Sequence, residues 1–103
     1  MAVRITVERT VVPGEQHDVK EVLRELRSRS TRRTGFVSGV TMVDAHNPTN
    51  FLMISTWTSI GAWESWEKSP ERQEINEKLI PLLQGIPKVR MWLQDLDAPP
   101  GGA

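Results

Sequence analysis

The chain has 103 residues, 38% of them hydrophobic and 25% charged, which is the length of one domain and leaves no room for separate catalytic and cofactor-binding domains. Thirteen Lys plus Arg are balanced by thirteen Asp plus Glu, whereas a nucleic-acid binder carries a basic excess or a dense basic face, so no nucleic-acid partner is expected. With no Cys, disulfides, zinc knuckles, iron–sulfur clusters and thiol nucleophiles are excluded together, and no apolar run suits a leader or a membrane span. The expectation is a soluble cytoplasmic protein without a membrane partner.

From Ala2 to Val12 the residues alternate, with Val3, Ile5 and Val7 on one face and Arg4, Thr6 and Glu8 on the other, the period of a half-buried strand. Pro13-Gly14 break it. Val19, Val22, Leu23 and Leu26 then form an apolar stripe on a helix from about Glu15 to Arg32, ended before Gly35. Phe36 to Asp44 and Phe51 to Trp57 flank a turn at His46-Asn47-Pro48-Thr49-Asn50 and predict a β-hairpin. Thr58 or Ser59 can cap a short helix carrying Ile60, Trp63 and Trp66, and Ser69-Pro70 starts the next. That second helix continues its apolar face through Ile75, Leu79, Leu82 and Leu83, and should kink or end at Pro81. A last strand from about Lys88 to Asp95 sets Val89, Met91 and Leu93 against Arg90, Trp92 and Gln94. Residues 1–97 are expected to form the single domain, and 98–103 a flexible tail.

The order β-α-β-β-α-β closes most simply into an α+β, ferredoxin-like fold, a four-stranded antiparallel sheet with the helices on one face. In the third strand Phe51, Met53 and Trp57 share one parity and Leu52 and Ile54 the other, so both faces are apolar. Helices cover one face only, and a second copy of the chain is the expected cover for the other.

Four Trp with no Tyr is an unusual aromatic allocation, and Trp57, Trp63 and Trp66 fall within ten positions. They are either core or the walls of a flat apolar pocket for a planar ligand, and periodicity does not choose between the two. His17 and His46 are the only histidines and sit apart, too few for a metal site. The basic run Arg24, Arg27, Arg29, Arg32, Arg33 is expected to be a solvated face that complements the helix dipole. No phosphate-cradling glycine loop, nucleophile elbow or Ser-His-Asp arrangement is present.

The segment Phe51-Leu-Met-Ile-Ser-Thr-Trp57-Thr-Ser-Ile-Gly-Ala-Trp63-Glu-Ser-Trp66-Glu-Lys-Ser69-Pro-Glu-Arg resembles the signature of the antibiotic biosynthesis monooxygenase family. The Val-Pro-Gly after strand one, the Thr-Gly-Phe before strand two and the closing Ile-Pro-Lys agree with it, so the likeness spans roughly residues 2 to 95. It implies a homodimeric α/β barrel of ferredoxin-like subunits and a monooxygenase acting on a small planar aromatic, polyketide- or quinol-like substrate with no cofactor and no metal. Trp57 corresponds to the strand-end indole of the polyketide-oxidising branch. An Asn on the third strand, a Tyr on the short helix and an Arg on the second helix of that branch correspond to Met53, Trp63 and Asn76.

The resemblance thus implies Trp57, Trp66 and Asn76 as catalytic, and Val7, Met53 and Trp63 as substrate-binding. The haem-degrading branch shares a tryptophan at Trp66, but its histidine ligand and strand-one asparagine fall on Asn76 and Val7, and an amide is a poor iron ligand beside imidazole. Haem degradation is therefore the third reading. The second is a non-catalytic dimer that binds a small aromatic or apolar ligand.

Overall fold

The computed structural model describes residues 1–96, so the expected tail at 98–103 lies outside the described residues. The elements are β1 (Val3–Thr10), α1 (Gln16–Ser30), β2 (Phe36–Val43), β3 (Asn50–Trp57), α2 (Ile60–Glu67), α3 (Pro70–Leu79) and β4 (Lys88–Leu93). A single 3-10 turn, Ile80–Leu82, carries Pro81 and ends the helical run, because a proline nitrogen has no hydrogen to continue the ladder. The four strands form one antiparallel sheet in the order β2-β3-β1-β4, the ferredoxin-like arrangement that the element order implies.

Alternation decides the faces. Along β1, Val3, Ile5, Val7 and Arg9 are buried under the helices, opposite Trp57, Ser55, Met53 and Phe51 of β3. On α1, Val19, Leu23, Leu26 and Ser30 make the buried stripe, and α1 lies beside α3 over the sheet. Ser59 caps α2 by accepting from the Ala62 N–H at 3.1 Å, and Ser69 caps α3 by accepting from the Arg72 N–H at 3.1 Å, with Pro70 at the first helical position.

Helical cover stops at β1. The helix-side residues of β4, Val89, Met91 and Leu93, remain exposed, as do Val40 and Met42 on the opposite face of the sheet. On that opposite face Leu52 and Ile54 are only half-buried, and Trp92 donates its indole N–H to Thr6 Oγ1 across the β1–β4 pair at 2.8 Å. The two-sided apolar character of β3 is thus real in three dimensions. No helix among the described residues is long and apolar enough to cross a membrane.

Candidate functional site

At the end of β3 the chain turns directly into α2, which brings the indoles together. Trp57 is fully buried, with Phe36 edge-on at 5.3 Å and Trp63 at 5.9 Å between ring centres. Its N–H donates to Ser55 Oγ at 3.0 Å, so the one polar atom of that indole is already satisfied inside the protein. Trp66 is buried on the next turn of α2. Val7, Met53, Trp57, Trp63 and Trp66 border one narrow space of about 20 Å³ on the helix side of the sheet, together with Arg72. That volume is room for about one water molecule.

Asn76 stands elsewhere. It lines a larger cavity, about 470 Å³, between α3, the segment Gly85–Pro87, β1 and β4. Apolar walls come from Val7, Leu79, Leu83 and Val89, and Ile86, 93% exposed, is where the cavity meets solvent. Val7 and Arg72 belong to both spaces and form the partition between them. The six expected residues therefore divide: five surround the indole box, Asn76 faces the open cavity, and Val7 alone touches both.

Two arginines went unnoticed in the sequence. Arg9, at 4% exposure, and Arg72, at 8%, both line the larger cavity. Among the described residues neither has a carboxylate within ion-pair distance, and the Nε of each is buried without a hydrogen-bond partner. Burial, reinforced by the nearby Arg72 cation, pulls the Arg9 guanidinium down to about 10. Burial lowers Arg72 as well, with Glu67 acting the other way. The Arg72 guanidinium lies 5.1 Å from the ring centre of Trp63, a cation–π contact that replaces part of its lost hydration.

A signal for both was present. Arg9 occupies the buried parity of β1 between Val7 and Val11, and Arg72 precedes Ile75 and Leu79 at three and seven positions on the apolar stripe of α3. A charge on an apolar face is the informative kind of exception. The resemblance directs attention to Asn76 for an arginine on this helix, and one turn earlier, on the same cavity wall, the chain has Arg72.

The basic run at the end of α1 is less uniform than a solvated face. Arg33 donates to the carbonyl oxygen and hydroxyl of Ser65 and stacks 5.5 Å from the ring centre of Trp66, and Arg29 pairs with Glu71 at 3.0 Å. His17 and His46 are both exposed, and no cluster of three or more His, Cys, Asp or Glu suited to a metal occurs among the described residues.

The family model for antibiotic biosynthesis monooxygenase matches residues 2–78. Among solved structures, a conserved protein of Methanosarcina mazei superposes with a TM-score of 0.87 at 17% identity, covering 92% of this chain and 94% of that one. SnoaB of Streptomyces nogalater, a cofactor-independent oxygenase, gives 0.82 at 18% identity over 94% and 98% of the two chains. PA3566 of Pseudomonas aeruginosa gives 0.78 at 22% identity over 90% and 93%. These likenesses establish the fold. A search of curated proteins finds no match.

Proposed function

The chain belongs to the antibiotic biosynthesis monooxygenase family, and from that premise we propose that it is an oxygenase oxidising a small planar phenol- or quinol-like substrate with dioxygen, using no cofactor of its own. The observation that carries this reading is the buried Arg72, set against Trp63 and exposed to an apolar cavity that it shares with Asn76 and Val7. An electron-rich phenol or enol reduces dioxygen only as its anion. A buried guanidinium favours that anion, the more so once the substrate's own body fills the cavity and displaces its water.

The substrate loses its proton, and the anion passes one electron to dioxygen. The radical pair then recombines into a carbon–oxygen bond. Where the attacked carbon carried two hydrogens, the peroxide collapses to a carbonyl and the second oxygen leaves as water. The protein's part is proximity, exclusion of water and hydrogen bonds to the developing oxyanion and peroxide, for which Asn76 supplies an amide N–H and Arg72 its donors. The cavity volume lies within the range ligand sites occupy. The indole box, with Met53 and Val7, forms the dry wall behind Arg72, and Trp66 on α2 holds that wall in place.

The apolar face formed by Val40, Met42, Leu52, Ile54 and Trp92 supports assembly as a homodimer through the sheets, which light scattering at twice the chain mass would verify. A second reading, a ligand binder without turnover, is favoured by the Trp57 N–H being taken up by Ser55 and by the small volume inside the box. Oxygen uptake by metal-free protein with a panel of anthrones and dihydroquinones separates the two. The oxygenase gives uptake above autoxidation that falls at least tenfold in Arg72→Gln. A folded protein that consumes no oxygen with any compound returns the site to the binding reading.

A further inference from the structure

Burying one cation without an anionic partner is unfavourable, and burying two beside each other more so, since each adds its desolvation to their mutual repulsion. Arg9 and Arg72 do this on one cavity wall, with a buried, partnerless Nε on each, and the one carboxylate that acts on Arg72, Glu67, does so from beyond ion-pair distance and does not line the cavity. Arg9 also borders a second recess of about 550 Å³ lined by Glu8 and Asp44, and neither carboxylate comes within ion-pair distance of it. Everything else on the wall of the first cavity is apolar apart from Asn76. Deprotonating a phenol there produces one negative charge for two positive ones.

We infer that this cavity takes a ligand bearing a permanently ionised carboxylate on an apolar body, with the carboxylate held between Arg9 and Arg72. A carboxylate offers two oxygens with about four acceptor sites, and guanidinium is the side chain whose planar fork matches it. Val7, Leu79, Leu83 and Val89 then receive the hydrocarbon, and Asn76 remains for a neutral polar substituent. Applied to the substrate, this rests on the oxygenase reading above and narrows it to acidic phenols or quinols. Applied to binding, it needs only the cavity.

The test is isothermal titration calorimetry of the full chain with 2-naphthoate and with its uncharged counterpart 2-naphthamide, neither of which is oxidised in the cell. Wild type binds the naphthoate about tenfold or more tightly than the amide, as a charge-assisted contact in a buried site implies. Arg9→Gln, kept to material whose circular dichroism matches wild type, removes that preference while leaving the amide affinity within about twofold. Arg9→Lys, which keeps the charge and loses the fork, retains part of it.

Equal affinity of wild type for the two probes, or binding of neither, overturns the inference without recourse to any variant. A preference that survives intact in Arg9→Gln also overturns it, since the second cation is then idle. Because no oxygen is consumed, a carboxylate preference in a protein that oxidises nothing would sink the oxygenase reading alone, and turnover with no preference would sink this one alone.

Discussion

Gly35 lies between α1 and β2 with φ at +89°, and a Cβ built there would stand 2.5 Å from the Ala62 Cβ and 2.8 Å from Thr58 Oγ1. Gly14 has nearly the same backbone angle, φ +92°, and nothing within 4 Å of its added Cβ. The two Gly→Ala variants therefore share the left-handed backbone penalty, about 1–2 kcal/mol for an alanine, and differ only in the clash. At Gly35 the neighbour is the backbone-anchored first turn of α2, which cannot swing aside as a flexible side chain would, so a further ~1–3 kcal/mol of overpacking is expected. Against a total stability of about 5–15 kcal/mol for such a domain, Gly35→Ala should stand well below Gly14→Ala. At about 4–8 °C per kcal/mol for a domain near this size, their melting temperatures should differ by about 10 °C. Urea titration and thermal circular dichroism of the pair, beside wild type, give the comparison. Equal destabilisation of the two variants would refute the idea that Gly35 is needed for the close approach of α2, and with it the account of how the indoles are held. The Thr58 N–H, which donates to the Gly35 carbonyl at 2.8 Å, should then show no change in hydrogen exchange either.

Ser69→Ala removes the cap of α3 and the hydroxyl's donation to the Trp66 carbonyl at 2.7 Å, so a loss of about 1 kcal/mol is expected in denaturant unfolding, within about 0.5–2. Asp44 accepts from the backbone N–H groups of His46 at 2.8 Å and Asn47 at 3.2 Å, and these bonds, that of His46 foremost, hold its carboxyl below the ordinary 3.8. Its folded value being the lower one, the turn's stabilisation is complete above the unfolded value and is lost as pH falls through the folded one. An NMR titration of the Asp44 carboxyl should show a midpoint below 3.8, rising in a variant whose turn is broken by Asn47→Pro. The exposed pair Lys78–Glu25, 3.1 Å apart across α1 and α3, should contribute under about 1 kcal/mol in a double-mutant cycle, so a larger coupling would mean the helices are packed more tightly there than their exposure indicates.

Most of the fold was legible because its signals are local. Alternation in β1, the stripe of α1, the serine caps at Ser59 and Ser69 and the stop at Pro81 each act within a few residues, and the structure places them within one or two positions. The boundaries of α1 and β4 are shorter than expected, Gln16–Ser30 and Lys88–Leu93, since helix and strand ends depend on what packs against them. The indole cluster was visible as a cluster, but whether Trp57 offers its N–H outward depended on Ser55, two residues away on the same face of β3, and on the ring of Phe36 brought in by the β2–β3 register. Arg9 and Arg72 were missed for a different reason. Sixty-three positions separate them, and only the packing of α3 over the sheet sets them on one cavity wall. The parity of Arg9 and the helical phase of Arg72 were each readable, yet their joint meaning is a property of the cavity.

The contact between Arg72 and Trp63 also gives the protein an internal optical reporter. The transition of an indole responds to the electric field across its ring, and the Arg72 guanidinium stands 5.1 Å from the ring centre of Trp63. Whatever neutralises or displaces that cation from the cavity side alters the emission of Trp63 from behind the partition, without touching the indole itself. A ligand that pairs with Arg72 should therefore change the intrinsic emission of the chain, and Trp63→Phe, which keeps an aromatic ring beside Arg72, should remove the part of that change that Trp63 contributes.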